Sequence, residues 1–382
     1  MSSAFDTIRR QKLLNILETI IDDDEMRLVR FLLTNTSLEI KMNNTKTEPF
    51  QTNIGSPQGD GISGCLFNVY FENALRKVRK IIQEDKIYKE HSYSKKIEIT
   101  IPEELIYADD YDNITDNITK RNKFKENIKE ILEKDNLFVN ETKTEYTTLK
   151  RQKKTDESWR NCIKLGSKLG DAEDIINRKQ LSMNSLNKLN NIWIKKDKIK
   201  KTLKLKIYKT LVKTILLYNC GTWAITKNEK KNLNSFHRRQ LKIVMNITYP
   251  MIIRNKKLYK ITEEQPISLE ITKRRWKLFG HILRLPEDTP AQRSMIHYFT
   301  PTNNKRFNGR ARITLPKTLH NDIEDTNKHN NDLSTLFKIT ELKNINDLQK
   351  LKELAKNRTS WISLTNLICD AAEAVTRIEE SI

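Results

Sequence analysis

The stretch Leu105-Ile106-Tyr107-Ala108-Asp109-Asp110 constrains this chain more than any other. An apolar run that fits a strand ends on two adjacent carboxylates, which places the acids at a tight turn between two strands. Carboxylates held at such a turn offer oxygen ligands to divalent cations. Taken alone, the same residues also fit an ordinary acidic turn, because aspartate favours turns for its own backbone hydrogen bonds. What stands on either side in the sequence separates the two readings.

Upstream lies Gly55-Ser56-Pro57-Gln58-Gly59-Asp60-Gly61-Ile62-Ser63, then the apolar, helix-like run Leu66-Phe67-Asn68-Val69-Tyr70-Phe71. Downstream come Phe138-Val139-Asn140-Glu141-Thr142-Lys143-Thr144-Glu145 and then Ile163-Lys164-Leu165-Gly166-Ser167. In this order and spacing the blocks resemble the palm of a reverse transcriptase, in particular that of retrotransposons without long terminal repeats. Ala4-Phe5-Asp6-Thr7-Ile8 is similar to the tail of the first palm motif, whose catalytic Asp would fall just upstream of Met1. Leu216–Trp223, Phe236-His237-Arg238-Arg239, Arg274-Arg275-Trp276, Gly280–Arg284 and Ala355–Arg358 with Trp361 resemble the region that follows the palm in these elements.

The resemblance implies an RNA-directed DNA polymerase that takes an RNA template, a DNA primer and deoxynucleoside triphosphates. Asp109 and Asp110 would be two of three acids that hold Mg2+, or Mn2+ in its place, with Asp109 the bridging ligand. Lys143 would stand near the triphosphate, neutralising charge or protonating pyrophosphate. Gln58 and Gly59 match the loop at the template–nucleotide pair, where a glycine lets the backbone approach closely. Tyr107 falls in the same nucleotide- and template-binding group, and Gly166-Ser167 in the turn that grips the primer end. Phe5 matches the ring that crowds the sugar 2′ side; a core aromatic is the alternative. Asp6 falls at the start of the following helix, as a cap or first-turn residue.

This chain also departs from the pattern. Asp112-Asn113 and Asp116-Asn117 make the strand after the acids unusually polar, and the basic fingers and any endonuclease domain that the resemblance implies upstream are expected to be absent. The expectation is an N-terminally truncated enzyme with little or no activity alone. The competing expectation is a non-enzymatic, basic nucleic-acid-binding remnant of such an element.

Composition bears on partners and compartment. A formal net charge of +21 over 382 residues favours a polyanionic partner, with salt-sensitive binding. The four cysteines, Cys65, Cys162, Cys220 and Cys369, are scattered and form no zinc or disulfide pattern, which suits a reducing, intracellular setting; nucleus and cytoplasm are not separated. Cys65 and Cys220 stand in apolar company and read as small packed hydrophobes. His237 and His281 read as packing or phosphate-contact residues rather than catalytic ones. No signal peptide is visible, and no apolar stretch approaches the roughly 18 residues of a membrane span.

Periodicity predicts a helix from Asp6 to about Ile21, a strand at Leu38–Met42, a weaker one at Phe50–Ile54 and another at Ile97–Ile101. It also predicts a helix over Arg121–Asp135 on Phe124, Ile128, Ile131 and Leu132, and a candidate strand at Tyr146–Leu149. Beyond Ser167 the pattern turns helical, with Leu203, Ile207, Leu211 and Ile215 as a core-facing stripe. Basic runs mark Lys150–Lys154 and the loop 303–312. The fold expected is α+β: a partial polymerase palm with a small antiparallel sheet backed by helices over 1–154. A primer-grip turn and helical thumb-like region would follow over 155–248, and a basic helical region over 249–382.

Overall fold

A computed structural model describes residues 4–43, 45–57, 59–84, 104–115, 117–148, 158–194, 198–300, 313–329 and 332–381. The chain divides into two compact units, residues 1–146 and 147–382. Small antiparallel sheets occur with a majority of helix, the α+β class that the patterning predicts.

In the first unit, α1 (Arg10–Leu17) buries Leu13, Leu14 and Leu17, the apolar face read from the sequence. The helix is shorter than its apolar pattern, and its N-cap is Arg9, which makes no side-chain cap bond. Asp6 therefore does not cap it. Asp6 lies in the turn before, with its backbone against Gly55. A Cβ on Gly55 would stand 3.0 Å from the Asp6 carbonyl oxygen, and its φ of +78° suits glycine. In α2 (Asp23–Leu33) the Asp22 carboxylate accepts from the amides of Asp24 and Glu25, satisfying two donors left open at the helix start.

The strand expected over Leu38–Met42 is two pieces, β1 (Thr36–Leu38) and β2 (Lys41–Met42). β1 pairs antiparallel with β4 (Phe50–Thr52), and β2 with β3 (Thr45–Lys46). Alternation continues through the break, so periodicity alone does not reveal it. Helix α3 (Ser63–Glu84) buries Leu66, Phe67, Tyr70, Phe71, Ala74, Leu75 and Val78, a helical stripe that carries the unit's main core. Strands β5 (Glu104–Tyr107) and β6 (Asp110–Asn113) form a hairpin, and α4 (Ile118–Lys134) follows behind an Asn117 cap. The Ile97–Ile101 strand and Asp116 lie outside the described residues, as do the basic run and the last residue of Tyr146–Leu149. The described part of that stretch is not a strand.

Just after α4, the buried Asp135 carboxylate takes ion pairs from Lys12 of α1 and, at 2.8 Å, Lys77 of α3. Burial pushes its pKa up, but the two ammonium groups prevail and hold it below the usual carboxylate range. Tyr70 Oη donates to the Asp135 carbonyl at 2.7 Å, so this corner joins three helices.

The second unit starts with the hairpin β7 (Ile163–Lys164) and β8 (Ser167–Lys168). Helices then follow: α5 (Asp171–Leu189), α6 (Lys201–Leu211), α7 (Lys213–Leu216), α8 (Lys227–Val244), α9 (Asn255–Thr262) and α10 (Ile267–Arg284). The last five are α11 (Pro290–Phe299), α12 (Leu315–His329), α13 (Asp332–Leu336), α14 (Ile345–Lys356) and α15 (Arg358–Ser381). The predicted stripe at Leu203, Ile207, Leu211 and Ile215 does not face the core. Leu203 and Leu211 are exposed, and the buried face is Leu205, Tyr208, Val212 and Leu216. The chain breaks between α6 and α7 at Val212, so residues on either side do not share one helical face. A spacing of strictly four also drifts around a 3.6-residue turn.

Helix α10 brings Trp276 and Gly280 against Trp361. Trp276 and Phe279 are buried, and Trp361 of α15 sets its indole against Gly280 while donating to the Trp276 carbonyl at 3.0 Å. A Cβ on Gly280 would stand 2.2 Å from Trp361 Nε1. The ring is enclosed and has no space to retreat. Gly280→Ala is therefore expected to destabilise the helical unit by about 2–3 kcal/mol. Urea denaturation checks this beside Gly64→Ala, which meets nothing within 4 Å and should be nearly neutral.

His237 is fully buried between Tyr208 and Tyr259, with ring centroids 6.1 and 6.3 Å away. Burial first, then the charges of Lys213 and Arg238, press its pKa down to about 3, although Glu264 Oε2 stands 3.8 Å from Nε2. Packing is thus its role. The unfolded imidazole takes a proton below about pH 6.5 while the folded one stays neutral, so stability falls as pH drops. Between pH 7 and 5 the loss from this group should be about 2 kcal/mol. Denaturation midpoints at the two pH values should show it, and His237→Gln should remove that share. Among the described residues no helix is long and apolar enough to cross a membrane.

Candidate active site

The acid pair sits where the sequence places it. Tyr107 pairs with Asp110 across the β5–β6 ladder, leaving Ala108 and Asp109 as the two-residue turn. Ala108 has a φ of +51°, a left-handed conformation that costs an alanine roughly 1 kcal/mol. Such local strain persists only where the surroundings hold it. Asp109 is half-buried, whereas Asp110 and Tyr107 are exposed.

The base of the hairpin is fixed to α3 and α4. Arg79 of α3 reaches Glu104, the first residue of β5, at 2.6 Å, and Glu72 at 2.8 Å. Burial works to raise the Glu72 carboxyl, yet Arg79 and Arg76 bring it below its ordinary range. Tyr111, next to Asp110, stacks nearly parallel on Phe124 of α4 at 5.7 Å and meets Phe71 of α3 edge-on at 6.2 Å. Burial, then the Glu104 charge, raise the Tyr111 hydroxyl far above its usual value, so it stays neutral. Phe71 continues to Phe67 at 5.6 Å, and Phe67 to Phe5 at 4.6 Å. One face of α3 thus carries an unbroken row of rings from Phe5 to the hairpin.

Phe5 is half-buried on that row, so part of its ring contributes to the core. Its carbonyl accepts from Ser56 N at 2.8 Å, which ties the N-terminal segment to the Gly55–Gly61 loop. Gly59 has a φ of +93° and open space around a would-be Cβ, so conformation, not crowding, selects glycine there. Gln58 lies outside the described residues. Lys143 is exposed on a turn closed by its amide to Asn140 Oδ1 at 3.1 Å. Cys65 is exposed on α3, contrary to the packed position its apolar neighbours suggest; it falls on the helix face away from Phe67 and Phe71. Cys220 is buried as expected, and burial pushes its thiol up to about 12.

In the second unit, Leu165 and Gly166 form the two-residue turn of the β7–β8 hairpin with φ of +47° and +75°. Two consecutive positive φ values are those of a type I′ turn, which twists with the strands but disfavours leucine. Compensation comes from both turn carbonyls. Tyr218 Oη donates to Leu165 O at 2.8 Å, and Arg178 of α5 donates to Gly166 O. Arg178 also donates to Ser167 Oγ at 2.9 Å and lies 4.3 Å over the Tyr218 ring. Asp174 closes the arrangement, accepting from Lys168 N at 2.9 Å and from the Trp223 indole at 3.0 Å. Arg178 and Asp174 were not singled out by sequence, and Tyr218 entered only within the Leu216–Trp223 block. They meet the turn only through the tertiary fold, and no local pattern marks them.

Asp109 and Asp110 bring hard oxygen donors, the chemistry magnesium takes when one or two carboxylates and substrate phosphates share it. Among the described residues no group of three or more His, Cys, Asp or Glu side chains is placed to hold a metal ion. Two adjacent carboxylates are a donor set that a divalent cation takes together with oxygens from substrate.

The sequence profile of the reverse transcriptase (RNA-dependent DNA polymerase) family matches residues 1–200, more than half of the chain. The chain belongs to that family. No curated protein matches it.

Proposed function

We propose that this chain is the polymerase segment of a retrotransposon without long terminal repeats, with its acids at Asp109 and Asp110. The observation that supports this most is the hairpin itself, with the acid pair at its turn and its base clamped through Arg79–Glu104 and Tyr111. Asp109 and Asp110 would hold Mg2+ or Mn2+, which supplies a more acidic primer 3′-hydroxyl and charge neutralisation at the departing pyrophosphate. The exposed Lys143 would neutralise triphosphate charge. Phe5 would crowd the sugar 2′ side, and Tyr107 and the Gln58–Gly59 loop would contact the template–nucleotide pair. Gly166 and Ser167 would hold the primer end on the turn braced by Arg178 and Tyr218.

We further propose that the 382-residue chain catalyses little by itself: among the described residues no group of three acids is placed to hold a metal ion. The charge of +21 favours the second reading, a nucleic-acid-binding remnant. Manganese binding followed by electron paramagnetic resonance separates the two, run on the chain alone and with Asp109→Asn. The polymerase reading expects weak binding that Asp109→Asn removes, with RNA binding retained. Manganese binding indifferent to Asp109→Asn would count against it and leave the remnant reading.

A further inference from the structure

The turn between α8 and α9 is built to project. Ile247 and Ile253 pack against the core of Leu241, Val244, Leu258 and Tyr259, and Met251 N donates to Thr248 O at 2.9 Å. Between these anchors the side chains of Tyr249 and Ile252 are 95% and 94% exposed, with Met251 at 60%. Large apolar groups left this open cost hydration free energy, and a monomer rarely gathers three on one tip without use for them. The segment from Ile247 to Thr262 carries Arg254, Lys256, Lys257 and Lys260 and no acid. All four cations are exposed, and among the described residues none is in an ion pair.

We infer that this turn docks single-stranded RNA, with Tyr249 stacked on an unpaired base and Arg254, Lys256 and Lys257 on the adjoining phosphates. An exposed aromatic next to unpaired cations matches the chemistry of a base followed by its backbone. Three apolar side chains on one turn bury too little area to hold the chain on a lipid surface, which needs a whole amphipathic face. RNA as the occupant rests on the reverse transcriptase reading; the stacking surface does not.

The test is fluorescence anisotropy of the full chain with a labelled, unstructured RNA oligonucleotide and with an RNA duplex of the same length. Tyr249→Ala should weaken single-strand binding about tenfold and leave the duplex unchanged, while Tyr249→Phe should stay within about twofold of the parent. Arg254→Gln with Lys256→Gln and Lys257→Gln should reduce the slope of log affinity against log salt by about two. The side chain at 249 touches no core, so circular dichroism should confirm that Tyr249→Ala folds. Unchanged RNA binding by Tyr249→Ala, equal losses on single strand and duplex, tighter binding of single-stranded DNA, or Tyr249-dependent capture by phosphatidylserine vesicles would each overturn the inference. Tyr249-dependent RNA binding by a protein that never extends a primer would sink only the polymerase reading. Primer extension with RNA binding indifferent to Tyr249 would sink only this one.

Discussion

Asp109→Asn, in a form of this protein that extends a primer, is expected to lower magnesium-dependent nucleotide incorporation by about a thousandfold or more. Bound cations contribute several kcal/mol of charge stabilisation in the transition state, and about 4 kcal/mol corresponds to a factor near a thousand. The substitution keeps the side chain's shape and removes its charge. The hairpin should persist, because its ladder is made by the backbone from Glu104 to Asn113 and its base by Arg79–Glu104 and Tyr111. RNA affinity should change less than about twofold, since phosphate contacts come from cations elsewhere. Steady-state primer extension and RNA anisotropy on the same preparations check both halves. A variant that loses RNA binding along with activity would point to misfolding, which thermal denaturation would reveal.

Asp322→Asn should have the largest effect on stability, about 3–5 kcal/mol. Arg275 on α10 is fully buried and reaches Asp322 Oδ2 at 2.8 Å, while the Trp276 indole donates to the same oxygen at 3.2 Å. Lys230 approaches Oδ1 at 3.3 Å. Arg275 Nε and Nη2 have no hydrogen-bond partner, so its charge depends on this carboxylate. Burial alone would raise the Asp322 pKa, but Arg275 and Lys230 bring it below its ordinary value. Its stabilisation is therefore complete above the unfolded carboxylate range near pH 4 and is lost as pH falls through the lower folded value. Urea denaturation of the variant should show a lower midpoint. Replacing both partners, Arg275→Met with Asp322→Leu, should restore much of the loss, because it removes the stranded charge.

The hairpin with its acids, α3 and α4 were legible because local pattern determines them: an apolar strand before acidic turn residues, and helical stripes of buried residues. The β7–β8 turn was legible in place, through Gly166 and Ser167, but not in support. Arg178 reaches it from the helix that follows, where an arginine fits a solvated face equally well, and Tyr218 from 53 residues beyond Leu165. The stripe from Leu203 to Ile215 misled for a related reason. A spacing of strictly four drifts around a 3.6-residue turn, so within Lys201–Leu211 the buried face is Leu205 and Tyr208, and the break at Val212 separates Ile215 from that helix. Asp6 reads as a cap by residue type, yet the close approach of Gly55 fixes it in the turn before the helix. The pairing of Gly280 with Trp361 needed the structure, since a glycine inside a helix is otherwise only a weak point.

The proposed polymerase site centres on Asp109 and Asp110 and is expected to work poorly in the 382-residue chain. Primer extension on an RNA template with magnesium tests it most directly, using the 382-residue chain and a version in which an upstream segment places an Asp four residues before Ala4. Extension by the longer protein alone, abolished there by Asp109→Asn, is the expected result. Robust extension by the 382-residue chain, lost with Asp109→Asn, would contradict it and show that another carboxylate already completes the site.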